Sequence, residues 1–191
     1  VKAVRATFAI ARRDLRPSSV FGLAARILVG ALLAAGDVEI GWPVVAYAYC
    51  IVAAASAGLE IRVRDLTYFT APLYGRQLAR AHALTASCVA GAAPVAMLAV
   101  AMSRHVAWSW PNVAALFAGS LIAALVGLSG TLRQGAAAAT YALFAFVAGG
   151  AIVLLPLAGV PPYGWLALAA LLGFLALRAF GETLARYDPL E

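Results

Sequence analysis

The sequence predicts an all-α polytopic membrane protein with six transmembrane helices, an N-terminal interfacial amphipathic helix and both termini cytoplasmic. Three observations predict it. The first is composition: 64% of the 191 residues are hydrophobic and 12% charged, whereas soluble domains are about half apolar and about a quarter charged. Mean hydropathy is +0.93. So little polar surface cannot cover the chain in water, and a bilayer is the natural solvent. The second is a series of apolar runs of near-spanning length, and the third is the distribution of charge between them.

A span needs roughly 20 mainly apolar residues, with a range of about 17–25. Six runs qualify or nearly do: 18–36, 42–59, 82–102, 111–130, 135–157 and 162–180. The first is interrupted by Arg26, and a tight polar turn, Thr131 to Gly135, separates the fourth from the fifth. No polar linker divides the chain, so one transmembrane domain is expected over 1–191, with an elbow helix at 1–17, six spans over 18–180 and a cytoplasmic tail at 181–191. A basic, polar N-terminus without a small-residue cleavage site argues against a cleaved signal peptide. Val1 fits an alternative start codon or a trimmed terminus.

The net charge of +6 would suggest nucleic acid in a soluble protein. Here its placement orients the chain, and no nucleic-acid partner is expected. With the N-terminus inside, Lys2, Arg5, Arg12, Arg13, Arg16, Arg62, Arg64, Arg76, Arg80, Arg133, Arg178 and Arg186 share the inner side, while the outer loops hold Arg104 beside Asp37 and Glu39. Trp42, Trp108, Trp110 and Trp165 all fall at outer boundaries, where indole rings sit well at the headgroup level. A bacterial-type inner membrane is the expected location.

Two segments are not spans. In residues 1–16, Val1, Val4, Phe8, Ala11 and Leu15 make an apolar helical stripe beside Lys2, Arg5, Arg12, Arg13 and Arg16. Such a helix lies in the interface as a topology anchor or as an elbow leaning on a cytoplasmic partner; Pro17-Ser18-Ser19 then breaks it. Residues 60–81 form the second. Glu60, Arg62, Arg64 and Asp65 mark the exit of the second run, and Leu66, Phe69 and Leu73 give an apolar face. Pro72 and Gly75 flank a turn, and Arg76 and Arg80 lie one helical turn apart. A simple connection is about five residues long; this one has helix–turn–helix character and reads as a surface offered to the cytoplasm, or as a solvated loop carrying orientation charges.

The run Leu66-Thr-Tyr-Phe-Thr-Ala-Pro-Leu-Tyr-Gly-Arg76, preceded by Glu60 and followed by Gln77-Leu-Ala-Arg80, resembles the permease subunits of type-2 ABC (ATP-binding cassette) exporters. Those show a charged exit from the second span and then a Leu-x-x-x-x-Ala-(Thr)-Pro-Leu-Ser-Arg pattern. Within that family the chain is similar in size and loop pattern to the haem-exporter permease of cytochrome c maturation, with Leu59-Glu60, Arg62, Arg64 and Asp65 as the matching cluster. Thr67 stands where an acidic residue is usual, Pro-Leu-Ser becomes Pro-Leu-Tyr-Gly, and the last outer loop is short. The resemblance covers the whole chain as architecture and about twenty residues as motif.

The resemblance implies that the loop docks as a coupling helix on a separate cytoplasmic ATP-binding cassette ATPase. Tyr68, Phe69, Leu73 and Tyr74 would supply contact area, and Arg62, Arg64, Arg76 and Arg80 would steer the partner. The sequence has no phosphate-binding Gly-x-x-x-x-Gly-Lys-Ser/Thr loop, so ATP would sit on that partner and no cofactor would bind here directly. A second permease copy or a paralogue would complete the assembly, meeting through the first and fifth spans at Ala25, Val29 and the alanine run 136–139. Haem enters only as a candidate substrate.

Other candidates are few. His105, beside Trp108 and Trp110, is either a speculative outer-loop ligand of haem or an exposed residue of an aromatic belt. His82 is expected at the inner interface, and Cys50 and Cys88 as small buried thiols. Arg26, the one ionisable residue well inside a run, either snorkels to the inner headgroups or faces an anionic substrate or partner chain. No pair or trio of His, Cys, Asp or Glu has metal-ligand spacing, and the spans lack paired carboxylates or a His–carboxylate set, so neither a metal site nor catalytic residues are expected. Exporter permease is the leading reading; a non-catalytic structural subunit of a larger membrane complex is the alternative, and an integral membrane enzyme comes third.

Overall fold

A computed structural model of the chain describes residues 9, 17–36, 48–49, 51–53, 75–104, 109–132 and 136–186. Helix accounts for 91% of them and none is in a strand, so the protein is all-helical among its described residues. The helices are α1 (Pro17–Gly36), α2 (Gly75–Ser103), α3 (Trp110–Gly130), α4 (Ala136–Leu154) and α5 (Pro162–Arg186). Residues 48–49 and 51–53 are also helical. Three stretches, Leu78–Ser103 in α2 and the whole of α3 and α5, are long and apolar enough to cross a membrane, while Gly22–Ala35 and Ala139–Leu154 are shorter apolar helices. That composition points to a membrane protein.

Local chemistry sets the helix ends. Ser109, extended at φ −69° and ψ 137°, caps α3 with its carbonyl, which accepts from the amides of Asn112 and Val113 at 3.1 and 3.2 Å. Pro111 sits in the first turn, where a missing N–H costs nothing. At the far end Thr131 turns back, its hydroxyl donating to the Leu128 carbonyl at 2.7 Å. Beyond α4, the Val160 amide reaches the Leu155 carbonyl and the Gly159 amide reaches that of Pro156, both at 3.1 Å. Gly159 adopts φ +79°, the left-handed step that closes a helix in this double hydrogen-bonded motif. The helical path thus runs one turn past Leu154 before the chain reverses through Pro161.

Packing follows the small residues. Lipid tails are as apolar as leucine, so helices in a bilayer associate through close contact rather than water exclusion; alanine accordingly supplies half of the buried apolar residues. One close approach joins α3 and α4 as an antiparallel hairpin. A Cβ on Gly149 would lie 2.7 Å from the Gly119 carbonyl oxygen and 2.9 Å from the Ala123 Cβ. Helix α5 lies against α3 in the same direction: Trp165 and Ala169 pack with Ala115 and Ile122, and Phe180 and Leu184 pack with Leu128 and Leu132. The second of these clusters also takes in Leu78, Ala81, Ala83 and Ala86 of α2.

Helix α1 packs on α2. Gly30 abuts the Ala93 carbonyl, 3.2 Å from where a Cβ would be. Near the ends of both helices, the Arg104 guanidinium donates to the Ala35 carbonyl. The two helices therefore run in the same direction.

Candidate functional site

Most of the predicted cytoplasmic docking surface lies outside the described residues: Glu60, Arg62, Arg64, Asp65, Leu66, Tyr68, Phe69, Pro72, Leu73 and Tyr74. So do the interfacial stripe of residues 1–16 apart from helical Ala9, and His105, Cys50, Trp42 and Trp108. Arg76 and Arg80 belong to the first turns of α2, and Arg80 is exposed there. Only the last residues of that segment, from Gly75 on, are described, and they are the start of a membrane-length helix.

Side-chain directions correct three expectations, for His82, Cys88 and Trp165, and remove one of the two alternatives for Arg26. Arg26 does not snorkel: it is 3% exposed, while Ile27, Leu28 and Val29 beside it face outward. A helix turns about 100° per residue, so burying Arg26 and Gly30 puts the intervening residues on the outer face. His82 is not interfacial. It is fully buried, because α2 starts at Gly75 and carries it two turns inside the bundle, edge-on to Phe180 of α5. Cys88 faces outward, since the inward positions around it go to Thr85, Ala86, Val89 and Ala90. Trp165 is 0% exposed, enclosed among Ala115, Ile122, Ile152 and Ala169, whereas Trp110 is 68% exposed.

Apart from Ser120, midway along α3, and the indole N–H of Trp165, the buried polar side chains described lie in two places. One is the end at which α2 begins and α3 and α5 finish, with His82, Thr85 and Ser129 all buried. The Thr85 hydroxyl donates to the Ala81 carbonyl at 3.1 Å; on α5 nearby, exposed Arg178 and Glu182 pair at 2.8 Å. The other is the seam between α1 and α2, and it contains Arg26, Gly30 and Tyr49. Tyr49 is 2% exposed, its hydroxyl lies against Gly30, and that oxygen has no hydrogen-bond partner. Sequence reasoning missed Tyr49. The available signal was a phenol halfway along the apolar run 42–59, at the depth of Arg26, where its hydroxyl has no water to meet.

Among the described residues no group of three or more His, Cys, Asp or Glu side chains converges. Comparison with models of protein families, with curated proteins and with solved structures finds no match to this chain. The class that fold and site define is therefore an all-helical protein with three helices of membrane-crossing length and polar groups buried between them.

Proposed function

We propose that the chain is the transmembrane permease subunit of an ABC-type exporter. It couples ATP hydrolysis by a separate cytoplasmic ATPase to the movement of a lipid-like or amphipathic substrate, in a bacterial-type inner membrane. In this reading the chain crosses six times with both ends inside, pairs with a second copy or a paralogue, and has no catalytic residues. The observation that carries it is the Leu66–Arg76 pattern, which runs directly into the first turn of α2. A docking surface continuous with a long helix can pass a push from an ATPase into the bundle.

Two features support this reading. Adjacent α1 and α2 run in the same direction, which is what an intervening span over 42–59 requires. Ala25 and Val29 of α1 and Ala137 and Ala139 of α4 are exposed, leaving close-packing surfaces free for a partner permease.

Gentle purification followed by identification of every co-purifying chain tests the proposal. An ATPase subunit should travel with the protein and be lost on Phe69→Ala combined with Arg76→Glu. A stable complex containing no ATPase sinks the exporter and favours a structural subunit instead.

A further inference from the structure

We propose that α2 is a jointed helix, bending at the turn 91–94 so that its first half, residues 75–90, tilts relative to a second half held against α1. Pro94 lies inside this 29-residue helix, and its side chain is fully buried. A proline nitrogen carries no hydrogen, so the Ala90 carbonyl four residues back loses its helical donor, and the ring crowds that carbonyl. Helices kink at such points. Gly91 lies in the same turn, and among the described residues nothing comes within 4 Å of where its Cβ would be. One turn of α2 thus lacks both a ladder hydrogen bond and a side chain braced against a neighbour.

The second observation is independent of the proline: α2 changes packing partners at that turn. The residues it gives to the cluster with Phe180 and Leu184 of α5 run from Leu78 to Ala90, and His82 adds its edge-on contact with Phe180. Ala93 and Met97 belong to a different cluster, with Tyr49 and with Leu33 and Ala34 of α1. Gly30 of α1 abuts the Ala93 carbonyl, and Arg104, just past the end of α2, donates to the Ala35 carbonyl. Helix α3 serves both clusters through different residues, Leu128 in the first and Leu116 in the second.

The boundary between these two bodies falls between Ala90 and Ala93, on the turn that Pro94 has freed. Hinges are a few residues that absorb a change of backbone angle between bodies that keep their own packing. A helix that only had to span would hold better with alanine at position 94. At about 1.5 Å per residue the arm from Ala92 to Arg80 is about 18 Å long, so a change of about 20° in the bend moves Arg80 by about 6 Å. The joint does not rest on the permease reading. Only its use does: there it turns a push arriving at Gly75 into a tilt of the first half.

The test needs no ATPase, so its failure is separate from failure of the exporter reading. In the full chain with Cys50 and Cys88 replaced by alanine, spin labels are placed on Arg80→Cys or Met102→Cys, each paired with Leu143→Cys on α4; all three sites are exposed. Distances are read by double electron–electron resonance in phosphatidylcholine nanodiscs, with labelled protein diluted in unlabelled chain. The Arg80–Leu143 distribution should be broad or double, spread by about 6 Å, and the Met102–Leu143 distribution narrow. Pro94→Ala should bring the first to the width of the second, and Gly91→Ala, which meets no neighbour, should narrow it part of the way. An Arg80–Leu143 distribution as narrow as the other in the native chain, or equally broad in both variants, overturns the proposal. If Pro94→Ala does not fold, the native comparison and Gly91→Ala decide.

Discussion

The imidazole of His82 meets the ring of Phe180 edge-on, with centroids 6.5 Å apart and planes at 80°. This contact ties α2, two turns after it begins, to α5 beside the cluster that also holds Leu128 of α3 and Leu132 of the turn after it. Edge-to-face geometry sets the positive rim of one ring on the negative face of the other. Phe180→Ala removes the ring and leaves a void that alanine-rich neighbours cannot fill. A loss of about 3 kcal/mol is expected, measurable as a lowered midpoint of denaturant unfolding in mixed micelles, with Phe180→Leu costing much less.

The glycines of the bundle should split into two groups. Gly149 faces a backbone carbonyl and a Cβ at distances no side chain tolerates, and neither neighbour is the free end of a flexible chain. Gly149→Ala should therefore force α3 and α4 apart and cost about 1–3 kcal/mol. Gly173 and Gly181 of α5 have nothing within 4 Å of a Cβ, so alanine there should stabilise the helix by about 0.5–1 kcal/mol. Thermal unfolding of the three variants in one detergent checks both signs.

Gly30 and Tyr49 should be coupled. Gly30→Ala sets a methyl against the Tyr49 hydroxyl and should destabilise the fold by about 1–3 kcal/mol. Tyr49→Phe removes an unpartnered buried oxygen and should be neutral or slightly stabilising. Combined, the changes should cost less than their sum, with an interaction energy of at least about 0.5 kcal/mol in a double-mutant cycle. Strict additivity would show that the two groups do not touch.

The buried tryptophan gives a spectroscopic prediction. In variants keeping a single tryptophan, brominated lipids should quench Trp110 strongly and Trp165 weakly, because Trp110 is exposed and Trp165 is enclosed. Trp165→Phe should be mild, since its indole N–H has no partner to lose, whereas Trp165→Ala should cost about 3–5 kcal/mol.

The error over Trp165 shows where sequence reading stops in such a chain. Apolar runs and turn residues located the helices well: the run 111–130 matches α3 within a residue, and the polar turn at 131–135 separates α3 from α4. Helix α5 continues past the run ending at 180 to Arg186, across an exposed Arg178–Glu182 pair four residues apart that sits comfortably on a helix. Helix facing was not legible, because lipid and protein interior reward the same apolar side chains. Size is only a partial signal: Ala123, Ala124 and Gly119 point inward on α3 while Leu121 points out, but Leu116, Ile122 and Leu128 are buried as well. The same ambiguity hid the environments of His82, Cys88 and Arg26, whose chemistry is evident in the sequence but whose direction depends on a neighbouring helix.

Among the described residues, the buried side of helix α5 is a stripe of Trp165, Ala169, Ala176, Phe180 and Leu184, with Leu172 packed beside it, and much of its remaining surface is exposed leucine and phenylalanine. The ribosome makes it after the other four. Until it emerges, Ala115, Ile122 and Ile152 at one end of the α3–α4 hairpin and Leu128 and Leu132 at the other lack their cover. Chains halted before Pro162 would present to insertion and quality-control machinery a bundle with these faces bare, and the docking of α5 along its length closes both ends of the hairpin at once.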